Sequence, residues 1–292
     1  MPLLTGFERI VRQDEPLALH TWFRLGGPAQ FFAEPETTDE LVELVKRSRS
    51  EGMSVRLLGG GSNILAGDEG VRGLVIKLSS VTFSNIEING RNVRAGGAAK
   101  FGHVISAAVS KGLAGMETLV GIPGTIGGAL HGNAGGRGGD IGQWTCQATV
   151  LTRSGEFIER KREDLVFAYR QSSLDELVIL EAEFALEQDD PEELTKRMQK
   201  QWIMKRSSQP LGHQSAGCIF KNPQNMSAGM LIDQAGLKST RIGGAEVSDR
   251  HANFIVADEN ATSKDVLQLI ELVRTRVEER LGVKLETEIE IW

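Results

Sequence analysis

Nine glycines fall between Gly121 and Gly139, and three more stand together at Gly59-Gly60-Gly61. Ordering a glycine costs more conformational entropy than ordering any other residue, so this density favours places where backbone must approach something closely. Leu57-Leu58-Gly59-Gly60-Gly61-Ser62-Asn63-Ile64-Leu65 has the form of a strand, a bare turn and an apolar exit. Without Cβ atoms, several N–H groups of such a turn converge on an anion the size of a diphosphate. A tight structural turn fits the same residues equally well. The second segment runs Gly121-Ile122-Pro123-Gly124-Thr125-Ile126-Gly127-Gly128-Ala129, then Asn133-Ala134-Gly135-Gly136-Arg137-Gly138-Gly139. Its interspersed apolar residues argue against a loose surface loop. The common nucleotide fingerprints are missing: Gly59-x-Gly61 meets Ile64 where a dinucleotide fold needs Gly or Ala, and no G-x-x-x-x-G-K-[ST] occurs.

Composition narrows the partners. A net charge of −6 lacks the concentrated basic surface that nucleic-acid backbones require, and one tyrosine leaves few stacking platforms. No apolar run approaches the roughly 18 residues of a membrane span, so no membrane insertion is expected. Met1 to Arg12 lacks the pattern of a secretory signal, which gives the cytoplasm as the expected location. Cys146 and Cys218 show no metal-ligand spacing, so no metal site is expected. Nothing in the sequence points to an obligate protein partner. At 292 residues the chain predicts two domains.

Local patterns predict the elements. Thr37 and Glu40 form a capping box ahead of a helix running to Gly52. Val55 to Leu58 and Leu74 to Leu78 read as strands, and Ala98 to Lys111 as a helix closed by Gly112. Asn89-Gly90 predicts a type I′ hairpin between Thr82 to Ile88 and Val93 to Ala95. A second hairpin turns at Ser154-Gly155, and Leu177 to Leu186 is another strand. Asp190-Pro191-Glu192-Glu193 opens a helix towards Arg206. Ser227 to Ala235 and Thr262 to Leu281 read as helices, Asn253 to Ala257 and Lys284 to Ile291 as strands.

Seven blocks in register along nearly the whole chain carry a resemblance. They are His20-Thr21-Trp22-Phe23-Arg24-Leu25-Gly26-Gly27-Pro28-Ala29, the Gly59 loop, Gly121 to Gly128, Ala168-Tyr169-Arg170, Ala216-Gly217-Cys218-Ile219-Phe220-Lys221-Asn222-Pro223, Arg241-Ile242-Gly243-Gly244-Ala245 and Leu285-Glu286-Thr287-Glu288. Together they resemble the UDP-N-acetylenolpyruvoylglucosamine reductase (MurB) family. Arg170 and Cys218 lie 48 positions apart (218 minus 170), too close for the substrate-covering loop of the family's longer branch, so the resemblance is to the shorter type II form.

The resemblance implies an α+β chain: an FAD-binding domain of PCMH (vanillyl-alcohol-oxidase-like) type over residues 20–188, then a smaller α/β substrate-binding domain over 189–292. It implies that NADPH reduces bound FAD and that the reduced flavin passes hydride to the enolpyruvyl ether of UDP-N-acetylglucosamine-enolpyruvate, for peptidoglycan synthesis. It places the cofactor against Arg24, Gly59, Gly60, Gly61, Ser62, Asn63, Ile64, Gly121, Ile122, Pro123, Gly124, Thr125, Gly127, Gly128, Asn133 and Ala134.

Hydride addition leaves negative charge shared with the substrate carboxylate, which calls for a fixed cation or hydrogen-bond donor there and a proton donor at the other carbon. The family matches for the first task are Arg170 and Glu288; without the motif they read as a solvated strand-end cation and an exposed strand residue. Cys218 stands where most of the family carries serine as proton donor. A thiol of ordinary pKa near 8.5 is protonated at neutral pH and suits that task, while a buried core cysteine is the other reading. Tyr169, Lys221, Asn222, Arg206 and His251 are candidate substrate contacts, His251 fitting a surface histidine as well. Glu290 departs from the basic residue the family often has there. Two rival readings stay open: a PCMH-type oxidase of an alcohol or sugar, and a non-enzymatic FAD or nucleotide sensor.

Overall fold

The computed structural model describes residues 5–136, 138–223 and 226–292. Helices and strands are mixed, and the chain forms two compact units whose segments alternate along the sequence. Unit one comprises Met1–Asp14, Gln30–Gly60 and Arg72–Ile203; unit two comprises Glu15–Ala29, Gly61–Val71 and Met204–Trp292.

In unit one, helix α1 (Thr38–Ser50) starts where expected. Thr37 accepts from the Glu40 N–H and the Glu40 carboxylate returns a bond to the Thr37 N–H, completing the capping box. Leu41, Leu44 and Val45, spaced along one face, share a core with Phe31, Ala33, Leu74 and Ile76. The strands beneath follow the order Val11–Pro16, Pro28–Ala33, Val71–Lys77, Val55–Leu58, the last pair parallel with Val55 opposite Leu74.

A second, antiparallel sheet of five strands runs Phe157–Lys161, Thr145–Leu151, Val178–Ala185, Asn92–Gly96, Ile86–Asn89. Helix α2 (Phe101–Ser110) buries Phe101, Val104, Ile105 and Ala108 in the same core as Val93, Ala148, Val150 and Phe184. The first hairpin is displaced from its expected register. Asn89 pairs with Asn92, so the turn residues are Gly90 and Arg91, and only Gly90 has positive φ (61°). Glycine in the first central position is the type II′ arrangement, in place of the expected I′ turn centred on Asn89-Gly90.

The glycine segment holds a short helix, α3 (Ile126–His131), which burial of Ile126, Ala129 and Leu130 sustains despite two internal glycines. Helix α4 (Pro191–Ser208) opens as expected, the Asp190 carboxylate accepting from the N–H groups of Glu192 and Glu193 at 2.9 Å each.

Unit two packs α5 (Ala228–Gln234) and α6 (Ser263–Leu281) with the antiparallel strands Arg241–Ile242, Ala245–Val247 and Ile255–Ala257. Val266, Leu269, Ile270, Val273 and Val277 form the buried stripe of α6. Its N-terminus is doubly capped: Thr262 forms a capping box with Asp265, and the Asp68 carboxylate accepts from the N–H groups of Ser263 and Lys264. Gly282 closes the helix in the left-handed conformation, φ 69°. The expected strand from Lys284 shrinks to a bridge at Thr287 and the pair Glu290–Ile291, which runs parallel to Ile64–Leu65. Among the described residues, no helix is long and apolar enough to cross a membrane.

Candidate functional site

Within unit one the two glycine loops meet. A Cβ on Gly60 would lie 2.8 Å from the Gly124 Cα, and one on Gly59 would lie 3.0 Å from the Thr125 hydroxyl oxygen. The contact is backbone to backbone, which is the reason for glycine at position 60. The 121–128 segment is held by residues 97 to 101: Phe101 N–H donates to Gly124 O, Ile126 N–H to Ala99 O and Gly127 N–H to Gly97 O. Thr125 caps α3 by accepting from the Gly128 N–H. The N–H groups of Ile126, Gly127 and Gly128 are therefore committed within the fold. Gly121 and Gly124 both have positive φ, at 79° and 107°. Ile122 is half-buried and Pro123 exposed. Arg137, inside the expected loop, lies outside the described residues.

The rest of the glycine segment has a different task. Asn133 follows α3 with φ 42°, its N–H donating to Leu130 O and the Ala134 N–H donating to Ala129 O. This is the Schellman closure of a helix, where glycine or asparagine occupies the left-handed position. The Asn133 amide, buried at 2% exposure, then bonds in both directions: Nδ2 donates to Ala168 O at 2.8 Å and Oδ1 accepts from the Gly142 N–H at 3.1 Å. Ala168 opens the hairpin Phe167–Ala168/Gln171–Ser172, in which Ala168 pairs with Gln171 and the two turn residues are Tyr169 and Arg170. Any Cβ on Gly142 would overlap the Phe167 ring.

Arg170 occupies the second turn position with φ 55°. Among the two, it alone has positive φ, the type II pattern that normally calls for glycine. Its guanidinium donates from Nη1 to Gly135 O at 3.1 Å and stacks over the exposed Tyr169 ring at 5.3 Å. Arg170 is thus a non-glycine residue in a strained turn with its side chain anchored.

Unit two sets the Cys218 and Glu288 segments side by side through the backbone. Ile219 O accepts the Glu288 N–H at 2.7 Å, and Phe220 bridges Thr287. On the other side Cys218 bridges Phe254, and Ile219 N–H donates to Asn253 O. The buried Asn253 amide clamps this strand, accepting from the Phe220 N–H and donating to Phe220 O. Cys218 is half-buried and not held in a disulfide, and Gly217 before it has φ 77°. Glu288 is half-buried, and its carbonyl accepts from Asn63 Nδ2 at 3.1 Å. Arg170 belongs to unit one and this pair to unit two.

The remaining candidates are spread around unit two. Lys221 faces Glu286 at 3.8 Å; Asn222 Oδ1 accepts the Ala228 N–H and so helps start α5; Arg206 stands exposed in the last turn of α4. His251 is half-buried edge-on to Phe254 at 4.8 Å between ring centres, and burial pushes its pKa below the ordinary histidine value. Arg24 is exposed with φ 54°, its N–H bonded to Thr21 O. Gly61 packs against the His20-Thr21 backbone and accepts the Trp22 N–H; Ser62 is half-buried, and Ile64 pairs with Glu290. Sequence reasoning missed the roles of Gly142 and Asn253. Asn253, an amide at the head of the apolar run Phe254-Ile255-Val256, carried the one available signal, since a polar group there needs partners.

Two family profiles match the chain: "FAD binding domain" over residues 29–160 and "UDP-N-acetylenolpyruvoylglucosamine reductase, C-terminal domain" over residues 209–292. UDP-N-acetylenolpyruvoylglucosamine reductase 2 of Symbiobacterium thermophilum is 42% identical over 284 residues, covering 97% of this chain and 92% of its own. The protein of the same name from Bacillus cereus (strain ATCC 10987) is 40% identical, covering 96% and 92%. Among solved structures, the UDP-N-acetylenolpyruvylglucosamine reductase of Thermus caldophilus superposes with a TM-score of 0.83 at 36% identity, covering 97% of this chain and 99% of its own.

Proposed function

The chain belongs to the UDP-N-acetylenolpyruvoylglucosamine reductase (MurB) family, and from that premise we infer that it is an FAD-dependent, NADPH-oxidising UDP-N-acetylmuramate dehydrogenase of peptidoglycan precursor synthesis. Its FAD-binding domain is of the PCMH type. The observation that supports the chemistry is the Glu288 N–H bond to Ile219 O, which sets the segments carrying the motif cysteine and the motif glutamate side by side.

The backbone fits a dinucleotide diphosphate: Gly59-Gly60 and Gly124 lie against one another, with no Cβ at these three positions to hold a ligand away. FAD, when bound, supplies the two-electron relay between NADPH and the enolpyruvyl double bond. In this reading residues 59 to 64 and 121 to 125 receive the diphosphate. Gly127, Gly128 and Ala134 contribute surface, because their N–H groups are bonded within the fold, whereas the buried Asn133 amide is taken up by Ala168 O and the Gly142 N–H. Arg24 is a further cofactor contact.

Arg170 binds the substrate carboxylate, where its planar fork matches the two oxygens and the anchored turn limits its freedom. Glu288 adds a hydrogen bond to the charge that develops on the same group. Cys218 delivers the proton to the carbon that does not receive hydride, and its thiolate recovers a proton from solvent between turnovers. Tyr169, Lys221, Asn222, Arg206 and His251 contact the UDP-sugar. The domain division that accompanies these roles is cofactor binding over 20–188 and substrate binding over 189–292. A cytoplasmic location belongs to the same proposal, since the reaction draws on NADPH and a nucleotide-linked substrate.

The test is direct. Purified protein is yellow, releases FAD on denaturation and oxidises NADPH rapidly only when UDP-N-acetylglucosamine-enolpyruvate is present. Flavin-containing protein whose NADPH oxidation ignores that substrate would overturn the assignment.

A further inference from the structure

We propose that Asn133 is a positioning residue for Arg170, holding the Tyr169-Arg170 turn through its side-chain amide. The proposal rests on the assignment of Arg170 to the substrate carboxylate.

At the left-handed position after α3, glycine is the least strained choice, and the Schellman bonds of Asn133 and Ala134 use backbone alone. The asparagine side chain is therefore unnecessary for closing the helix. Yet the amide is buried and both its ends are bonded, one to Ala168 O and one to the Gly142 N–H. Ala168 is the residue before the turn, and Gly142 lies against the Phe167 ring. Two further bonds tie the same pieces of chain: Arg170 Nη1 to Gly135 O and Ser172 Oγ to His131 O. Asn133 is the buried member of this set and the one whose partners lie on both sides of the hairpin's support. Removing it leaves the Ala168 carbonyl without its amide donor and lets the turn shift. A displacement of about 1 Å at a group that orients substrate slows reaction on the order of a hundredfold.

The experiment uses the FAD-loaded full chain and four proteins: wild type, Asn133→Gly, Arg170→Ala and the double variant. Asn133→Gly keeps the left-handed backbone and deletes only the amide. Flavin content, the flavin absorption spectrum, Tm and the two half-reactions, flavin reduction by NADPH and reoxidation by UDP-N-acetylglucosamine-enolpyruvate, are measured on each. The expected result is full flavin content, NADPH reduction within about twofold of wild type, and reoxidation slowed about ten- to hundredfold by Asn133→Gly. In the Arg170→Ala background the same substitution adds less than about twofold, because the group it positions is already gone. Equal slowing in both backgrounds would overturn the proposal, as would loss of flavin, which would make Asn133 a cofactor contact. Failure of wild type to be reoxidised, or of Arg170→Ala to be impaired, would strike the underlying assignment instead and is read from proteins that carry no change at Asn133.

Discussion

Arg170 is held at φ 55° in a two-residue turn, and comparing two truncations separates the backbone from the side chain. Arg170→Ala and Arg170→Gly remove the same guanidinium, its bond to Gly135 O and its stacking on Tyr169. They differ in the turn. An L-residue in the left-handed region carries roughly 1–2 kcal/mol of strain. Glycine relieves this but gains unfolded-state entropy of about 0.4–1 kcal/mol. The difference leaves Arg170→Gly more stable than Arg170→Ala by about 0.5–1 kcal/mol, or roughly 1–3 °C in Tm for a chain of this size. Activity moves the other way for both variants: loss of a fixed group that stabilises developing charge costs on the order of 10²–10³ in kcat. The assay is thermal unfolding at equal, saturating FAD, because bound cofactor itself raises Tm, together with substrate-dependent NADPH oxidation. An alanine variant as stable as the glycine variant would refute the strain argument. A glycine variant retaining wild-type kcat would refute the choice of Arg170 as the carboxylate ligand.

Three further outcomes are expected. Cys218→Ser keeps measurable turnover while Cys218→Ala loses it, by about 10²–10⁴-fold for a missing proton donor; equal activity of the two would remove the thiol from the mechanism. Gly60→Ala drives a methyl into the Gly124 backbone, so the purified variant carries less FAD than wild type by absorbance, and full occupancy would show that the loops can part without consequence. His251 has a folded pKa below its unfolded value because burial disfavours its charged form. The unfolded chain therefore takes up the proton first, and stability falls as pH drops below about 6.5. In denaturant titrations at pH 7 and pH 5.5, His251→Gln shows a smaller fall than wild type; equal falls would mean that burial does not govern this histidine.

Elements with local start and stop signals were legible in the sequence. Thr37 with Glu40, Asp190 with Pro191, and Thr262 with Gly282 each mark a helix end through bonds within a few residues. Where partners lie far away, reading failed. The segment after Lys284 has strand composition, but only Glu290–Ile291 finds a ladder, on Ile64–Leu65. Helix α3 has glycines at 127 and 128, and burial of its apolar face outweighs their poor propensity. Position 90 shows how one residue of register changes a turn type, since Asn89 pairs in the ladder instead of turning. At the site, motif blocks marked Cys218 and Glu288, while their adjacency depends on a bond between residues 219 and 288. Glycines 121 to 139 read as one feature and proved to be two, a loop contact near Gly124 and a support for the Arg170 hairpin.

The Asp68 cap on α6 has a consequence for biosynthesis. Asp68 and Ser263 exchange bonds in both directions, and Trp292 N–H donates to Leu65 O while Gly67 N–H donates to Trp292 O. Residues 61–71 leave the ribosome long before their partners in residues 263–292. Unit two consequently has high contact order, and the 61–71 segment gains these partners only once residues 263–292 have been made. A fragment restricted to residues 204–292 lacks Asp68 and Ile64–Leu65 altogether: its longest helix starts on the Thr262–Asp265 capping box alone, and Glu290–Ile291 loses its ladder.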